Sequence, residues 1–361
     1  MTQIKVDTVT NAAGTGNPDF ADGLTYQGSA TSTLNLCEYT SSASEPSSPK
    51  NGALWYDTTN SVTKIYADGA WNELTVTDSS AGHFGDRGLT AGGYDTSYRN
   101  FIEYYDITTA GNSSDFGDLT RTKGSFSTVS DATYGVFGAD LSSYQVIDYV
   151  TIATAGNATD FGDAGAGRSA SASDGSRGCF AGGYTGSATT AAIEYITIAT
   201  TGNTTSFGDL TIASSSYNNG MSDNTYGVVA VSGLGLNYFT IQSTGNATSF
   251  GNLSSSRTQT TSTDDASRGL IMGGGNTNVI DYITISTPSN ATDFGDLLFD
   301  TYQATATSNS TRAVHSGGRH PTNTRSNIIQ HVTIQTTGNA TDFGDLITAR
   351  SLVSATSGNA S

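Results

Sequence analysis

Charge is scarce in this chain. Only 13% of its 361 residues are Asp, Glu, Lys or Arg, about half the roughly 25% usual in globular domains. Cations are scarcer still: 15 Lys and Arg stand against 32 Asp and Glu, a formal net charge of −17. A surface of that sign opposes nucleic acid, whose phosphates need a cationic face. The two cysteines, Cys37 and Cys179, exclude a disulfide scaffold, and the expectation for Cys179 is a buried free thiol. No apolar run approaches the roughly 18 residues of a membrane-spanning helix, so no membrane insertion is expected. The opening Met1-Thr-Gln-Ile-Lys-Val-Asp7 lacks a basic start followed by an apolar stretch, and the expectation is folding in a reducing cytoplasm without a signal peptide. What is abundant is Gly (43 residues) with Ser, Thr and Asn. That composition suits short strands and tight turns and lacks the bias of helices.

One phrase recurs six times. Thr109-Ala-Gly-Asn-Ser-Ser-Asp-Phe-Gly-Asp-Leu119 has relatives whose phenylalanines are Phe116, Phe161, Phe207, Phe250, Phe294 and Phe343, stepping by 43 to 49 residues. A period of that length marks an array of one supersecondary unit. In the unit that starts at Asp174, Arg177–Gly183 is an apolar strand closed by Gly182-Gly183. A variable loop, residues 184–191, leads to the β-branched and aromatic strand Ala192-Ile-Glu-Tyr-Ile-Thr-Ile198. Thr200-Thr-Gly-Asn203 is a turn, Thr204–Leu210 carries the Phe-Gly-Asp signature, and residues 211–222 complete the unit as a polar fourth strand. The central strand is apolar on both faces, which requires a sheet covered on both sides.

A four-stranded sheet covered on both faces and repeated at this period fits a propeller blade. The Gly-Gly doublet after an apolar strand recurs at Gly92-Gly93, Gly182-Gly183, Gly273-Gly274 and Gly317-Gly318, and an aromatic/acidic strand follows it. This pattern resembles the kelch type of blade over residues 81–361. It departs from kelch in lacking a late Trp, since Trp55 and Trp71 both precede the array, and the Phe of Asp-Phe-Gly-Asp takes that packing place. The fold expected is all-β: a kelch-like β-propeller of six blades with four strands each, closed by pairing the final strand near Ala355 with Arg87–Ala91. A β-solenoid is the alternative fold.

The first eighty residues do not share the repeat. Ile4-Lys-Val-Asp-Thr-Val-Thr-Asn-Ala-Ala-Gly-Thr-Gly16 and Pro18-Asp-Phe-Ala-Asp-Gly-Leu24 resemble the opening of marine bacteriophage tail and fibre proteins. Gly52-Ala-Leu-Trp-Tyr-Asp-Thr-Thr-Asn60 and Lys64-Ile-Tyr-Ala-Asp-Gly-Ala-Trp-Asn-Glu-Leu74 resemble a small β element of phage fibres, with a divergent seventh blade built from residues 50–80 as the alternative. The implied organisation is a virion-attachment segment (1–40), a linker and small β module (41–80), and the propeller (81–361). The resemblance implies virion localisation after assembly in the host cytoplasm, several copies per particle, and other virion proteins as partners through the N-terminal region.

The repeat offers several candidate chemistries. Asn112, Asn157, Asn203, Asn246, Asn290 and Asn339 each begin an Asn-x-Ser/Thr triplet, a glycosylation acceptor in a secreted protein and otherwise a turn residue. The pairs Asp115/Asp118, Asp160/Asp163, Asp293/Asp296 and Asp342/Asp345 offer oxygens to calcium, but two units drop them, which favours turn caps. Arg87, Arg177, Arg268 and Arg312 recur at one strand position and would either ring an anion or pair internally, as would the later set Arg121, Arg168, Arg257 and Arg350. No catalytic constellation, cofactor loop or metal set emerges, so the catalytic, cofactor and metal expectations are none.

Binding residues concentrate in variable loops on a rigid scaffold. The loops after the Gly-Gly strand nominate Tyr94, Tyr98, Arg99, Tyr184, Arg319, His320 and Arg325 as contacts for a host-surface glycan or protein. The leading expectation is a non-enzymatic virion fibre, knob or adhesin. The alternatives are a propeller-type carbohydrate-active enzyme such as a depolymerase, and a secreted lectin-like protein.

Overall fold

A computed structural model describes residues 39–49, 52–59, 62–67, 69–73, 82–140, 145–167, 169–215, 220–231 and 233–360. The attachment segment, Cys37 and Arg168 lie outside these residues, apart from the last residues of the segment. The chain divides into two units, residues 1–78 and 79–361.

The first unit contains one four-stranded sheet: β1 (Tyr39–Ser42), β2 (Leu54–Asp57), β3 (Val62–Ala67) and β4 (Ala70–Glu73), in that order. β1 lies parallel to β2, so the expected linker begins as a strand. Trp71 packs edge-on against Trp55 and Tyr66 at centroid separations of 5.5 and 5.4 Å. Lys64 caps the cluster, 4.7 Å from the Trp55 ring and 3.0 Å from the Asp57 carboxylate.

The second unit is all-β and propeller-like, built of six antiparallel sheets. The first sheet holds β5 (Arg87–Ala91), β6 (Phe101–Asp106) and β7 (Ser114–Asp118). The second holds β8 (Thr128–Ser130), β9 (Tyr134–Phe137), β10 (Val146–Thr151) and β11 (Thr159–Asp163). The third is β12 (Ala170–Ser173), β13 (Arg177–Ala181), β14 (Ala192–Thr197) and β15 (Thr205–Asp209). The fourth is β16 (Met221–Ser222), β17 (Tyr226–Val231), β18 (Gly235–Thr240) and β19 (Thr248–Asn252). The fifth is β20 (Thr261–Asp264), β21 (Arg268–Met272), β22 (Thr277–Thr284) and β23 (Thr292–Thr301). The sixth is β24 (Thr305–Ser308), β25 (Arg312–Ser316), β26 (Ile328–Thr333) and β27 (Thr341–Asp345). The last strand, β28 (Ser354–Gly358), returns to pair with β5, Ala355 opposite Thr90.

This topology corrects one sequence expectation. The polar strand assigned to the end of each unit is the innermost strand of the next sheet, so that β16 pairs with β17 and not with β15. Inner strands of neighbouring sheets touch in succession, and β28 touches β8.

There is no single core. Each apolar cluster lies between two neighbouring sheets; Leu89, Ile102 and Phe116 of the first pack against Phe137, Val150 and Ile152 of the second. Further clusters join the second to third, third to fourth, fourth to fifth and fifth to sixth sheets, and Val314, Ile329 and Phe343 of the sixth meet Tyr105 and Ile107 of the first. The repeated phenylalanine anchors each cluster. A bulge in the third–fourth strand pairing, between Ile102 and Glu103 in the first sheet, turns Phe116 into the interface. All six phenylalanines are buried and meet the aromatic residue of the adjacent strand edge-on, as Tyr149 meets Phe161 at 5.7 Å. Full burial of such a ring contributes about 1.5–3 kcal/mol.

Candidate functional site

The up-and-down strand order puts two kinds of connection on opposite faces. Turns between first and second strands and between third and fourth strands form one face. Loops between second and third strands, and between successive sheets, form the other.

On the turn face the repeated residues are used to join sheets. The Asn157 side-chain oxygen accepts the Asp118 N–H of the preceding sheet at 3.0 Å. Asn203, Asn246, Asn290 and Asn339 do the same in turn, and Asn112 of the first sheet accepts from Asp345 of the sixth. The glycine of Phe-Gly-Asp lets the next turn approach: a Cβ on Gly162 would stand 2.3 Å from the Gly202 carbonyl oxygen, and its φ is 150°. Each phrase thus receives the turn of the next copy, Gly-Asn in five cases and Ser289-Asn290 in the sixth. The sequon asparagines do more than shape their own turns.

Of the two roles open to the first set of arginines, ringing an anion or pairing internally, the structure shows the internal one. They stand on second strands, not on the channel lining. Arg87, Arg177, Arg268 and Arg312 donate to carbonyls of the next sheet, at Ile152, Ile241, Ile334 and Ile107, at 2.8–3.1 Å. Each also lies over an aromatic ring, as Arg177 does over Tyr195 at 4.2 Å.

The later cations are buried between sheets. Lys123 pairs with Asp148 at 2.9 Å, Arg257 with Asp281 at 2.7 Å, and Arg350 with Glu103 at 2.5 Å. Burial pulls the pKa of all three cations down, and the attraction of each acid opposes it. The fourth and sixth sheets carry Asn237 and Gln330 at the acid's place, with no cation paired to either among the described residues; they accept the N–H groups of Thr211 and Leu298. Arg121 is also engaged.

The central channel is narrow. Inner strands line it with Thr128, Ser130, Ser171, Ser173, Ser262, Thr263, Thr307 and Ser357, around a cavity of about 60 Å³. One water needs roughly 10–15 Å³ on that measure, so a few waters fit and a sugar ring does not. His83 closes one end, 3.2 Å from Asn224 Oδ1 and 3.4 Å from Asp264 Oδ1.

The loop face is different. The loop of the first sheet lies beside the loop of the sixth. Arg325 lies 4.7 Å over the Tyr94 ring, and Tyr98 meets Tyr94 edge-on at 5.2 Å. Arg319 is bridged through its backbone to Tyr302 on one side and to Arg325 on the other. His320 rests on Phe299 at 4.4 Å. Pro321 and Asn323 (φ 72°) set a tight turn closed by the Asn323 N–H on the His320 carbonyl at 2.8 Å. Arg99 holds both oxygens of Asp95 at 2.9 Å. Burial works against the Asp95 charge, but Arg99 and the N–H groups of Thr96 and Ser97 outweigh it and hold the carboxyl well below its usual range.

Six of the seven residues nominated from sequence therefore converge: Tyr94, Tyr98, Arg99, Arg319, His320 and Arg325. Tyr184 does not join them. It occupies the equivalent position of the third sheet, bridged to Gly167 and Thr189. Phe299 and Tyr302 were missed. Their signal is the longest step in the repeat, between Phe294 and Phe343, where β23 runs on to Thr301.

No known protein-family profile matches the chain, and no curated protein does. Among solved structures it is similar to a fungal alcohol oxidase of the AA5 family with catalytic diversity, in complex with copper, at 12% identity and a TM-score of 0.50. The match covers 74% of this chain and 66% of that one, so the chain spans just under two thirds of its length. This overturns the expectation of a non-enzymatic virion protein: a solved structure with a similar architecture is an enzyme, so the propeller-like fold does not argue for passive display. Nothing in these comparisons points to a phage particle.

The residues here do not fit copper. Imidazoles are its common ligands, yet the four histidines have separate surroundings: His83 at the channel, His315 on Gln330, His320 on Phe299 and His331 against Phe343. Among the described residues no three His, Cys, Asp or Glu side chains gather as a metal set.

Proposed function

We propose that residues 82–360 form a closed, six-bladed, kelch-like propeller that acts on carbohydrate at its loop face, over the fifth, sixth and first blades. The strip of Tyr302, Arg319, Arg325, Tyr94 and Tyr98 carries this reading. It combines aromatic faces with hydroxyl and guanidinium donors, the chemistry that holds a sugar ring flat while bonding its oxygens. Its loops are braced by backbone bridges and a proline turn, so little ordering cost opposes binding. The channel is too narrow for such a ligand, and the turn face is occupied by contacts between blades. Carriage on a phage particle through residues 1–40 is compatible with this activity and is tested separately, by detecting the chain in purified particles.

The test is a panel of soluble polysaccharides incubated with the full chain, read by calorimetry for binding and by reducing ends for cleavage. Binding or turnover that Tyr98→Ala and Tyr302→Ala reduce together, with melting temperature preserved, is the expected result. A chain that neither binds nor alters any polysaccharide defeats the proposal.

A further inference from the structure

The cations of this protein are few, and nearly all are committed to its own architecture. Among the described residues Lys64, Arg99, Lys123, Arg257 and Arg350 pair with carboxylates. Arg87, Arg177, Arg268 and Arg312 are spent on carbonyls, and Arg121 has a partner of its own. Arg319 and Arg325 differ. Neither has a carboxylate partner among the described residues.

Their placement is itself informative. The two residues face each other in an antiparallel bridge, which projects both side chains to the same side of the loop. Like charges directly opposed in this way are destabilising. The chain is rich in carboxylates, 32 in all, yet none among the described residues answers this pair. The contacts they do make leave donors over: Arg319 gives only Nε, to the Asn323 carbonyl at 3.4 Å, and Arg325 stacks on Tyr94 with its Nε buried and unbonded. The Nη groups of both residues make no hydrogen bond among the described residues and are the donors left for an acceptor that arrives from outside.

Resting on the carbohydrate reading above, we infer that the sixth-blade loop is an acid-group subsite, and that the ligand is an anionic polysaccharide whose carboxylate or sulfate is held between Arg319 and Arg325 while its rings lie along Tyr94, Tyr98 and Tyr302. A planar guanidinium matches either anion with two parallel hydrogen bonds. The anion also relieves the repulsion between the arginines. The net charge of −17 repels polyanions elsewhere on the surface, which confines them to this one place.

The experiment titrates the full chain with a polyuronate, a sulfated galactan, a neutral glucan and a DNA duplex, each at low and at raised salt. Arg319→Gln and Arg325→Gln are compared with wild type, with Arg325→Lys as the conservative change. Binding to the polyuronate or the sulfated polymer, weakened by salt and reduced about tenfold or more by either Gln variant, is expected. Arg325→Lys should restore part of it, and the polymer preferred tells carboxylate from sulfate. Equal binding of the neutral glucan by wild type and variants overturns the inference and leaves the carbohydrate reading standing. Anionic binding that the variants do not change, or DNA bound as tightly as the polysaccharides, overturns it also. Failure of every polymer defeats both readings. Melting temperatures unchanged in the variants show that the loop, and not the fold, was altered.

Discussion

Replacing Arg350 by Met is the sharpest probe of how the ring is held shut. Arg350 is fully buried, and its guanidinium spans the joint between the last and first sheets. One terminal nitrogen binds the Glu103 carboxylate at 2.5 Å and the other the Gly92 carbonyl at 2.6 Å. Met fills much of the volume but leaves Glu103 buried without its cation. Breaking one side of a buried pair costs about 3–5 kcal/mol. The remedy is written elsewhere in the molecule: the fourth and sixth sheets use Asn237 and Gln330 at this position, paired with no cation among the described residues. Glu103→Gln added to Arg350→Met should therefore recover most of the loss, because the amide oxygen can still accept the Ile347 N–H at 2.9 Å and the Ser113 hydroxyl at 2.6 Å. Urea unfolding followed by far-ultraviolet circular dichroism measures this, since both tryptophans sit in the other unit. A double variant no more stable than Arg350→Met alone would show that packing, and not the stranded charge, sets the cost.

Other outcomes follow from the same geometry. Gly162→Ala places a methyl 2.3 Å from a backbone oxygen at φ 150° and should cost more than about 2 kcal/mol, whereas Gly156→Ala meets open space and should change stability by about 0.5 kcal/mol or less; paired unfolding curves check the contrast. His315 is fully buried, and burial pulls its pKa down to about 4 from 6.5. The unfolded state therefore binds the proton more readily, so stability is intact above about pH 6.5 and falls as pH drops toward 4, by roughly 3 kcal/mol from this group. His315→Gln should flatten that part of the pH–stability curve; an unchanged slope refutes it. Burial pushes the Cys179 thiol up to about 12, so peptide mapping after alkylation at mildly alkaline pH should find it unmodified until denaturant is added.

The candidate site was only partly legible in the sequence. Variable loops on a repeating scaffold pointed to Tyr94, Tyr98, Arg99, Arg319, His320 and Arg325, but the same reasoning chose Tyr184, which shares the local pattern and lies in another sheet. Phe299 and Tyr302 were not nominated, because nothing local distinguishes a half-buried surface aromatic from a packed one. The arginines were half legible. Arg257 and Arg350 pair with acids, as internal pairing implied, whereas Arg87, Arg177, Arg268 and Arg312 bond carbonyls of the following sheet, which no count of acids reveals.

The sequence by itself determined the all-β, repeated character of the chain. β-branched and aromatic runs, Gly-Gly stops and a period of 43 to 49 residues are local properties that dictate short strands in repeated sheets, while the sheet to which the polar strand belongs was settled by its partner. Even the pairing of β28 with β5 could be foreseen, since both were strands lacking a neighbour. Only the tertiary structure decided which groups meet. Neighbouring sheets complete one another's hydrogen bonds, and the last sheet meets the first, so Asn112 answers Asp345 and Arg350 answers Glu103. The same meeting sets Arg325 on Tyr94, across most of the length of the chain. A residue's periodicity is carried along the backbone, but its partner is fixed by which sheet comes round to lie beside it.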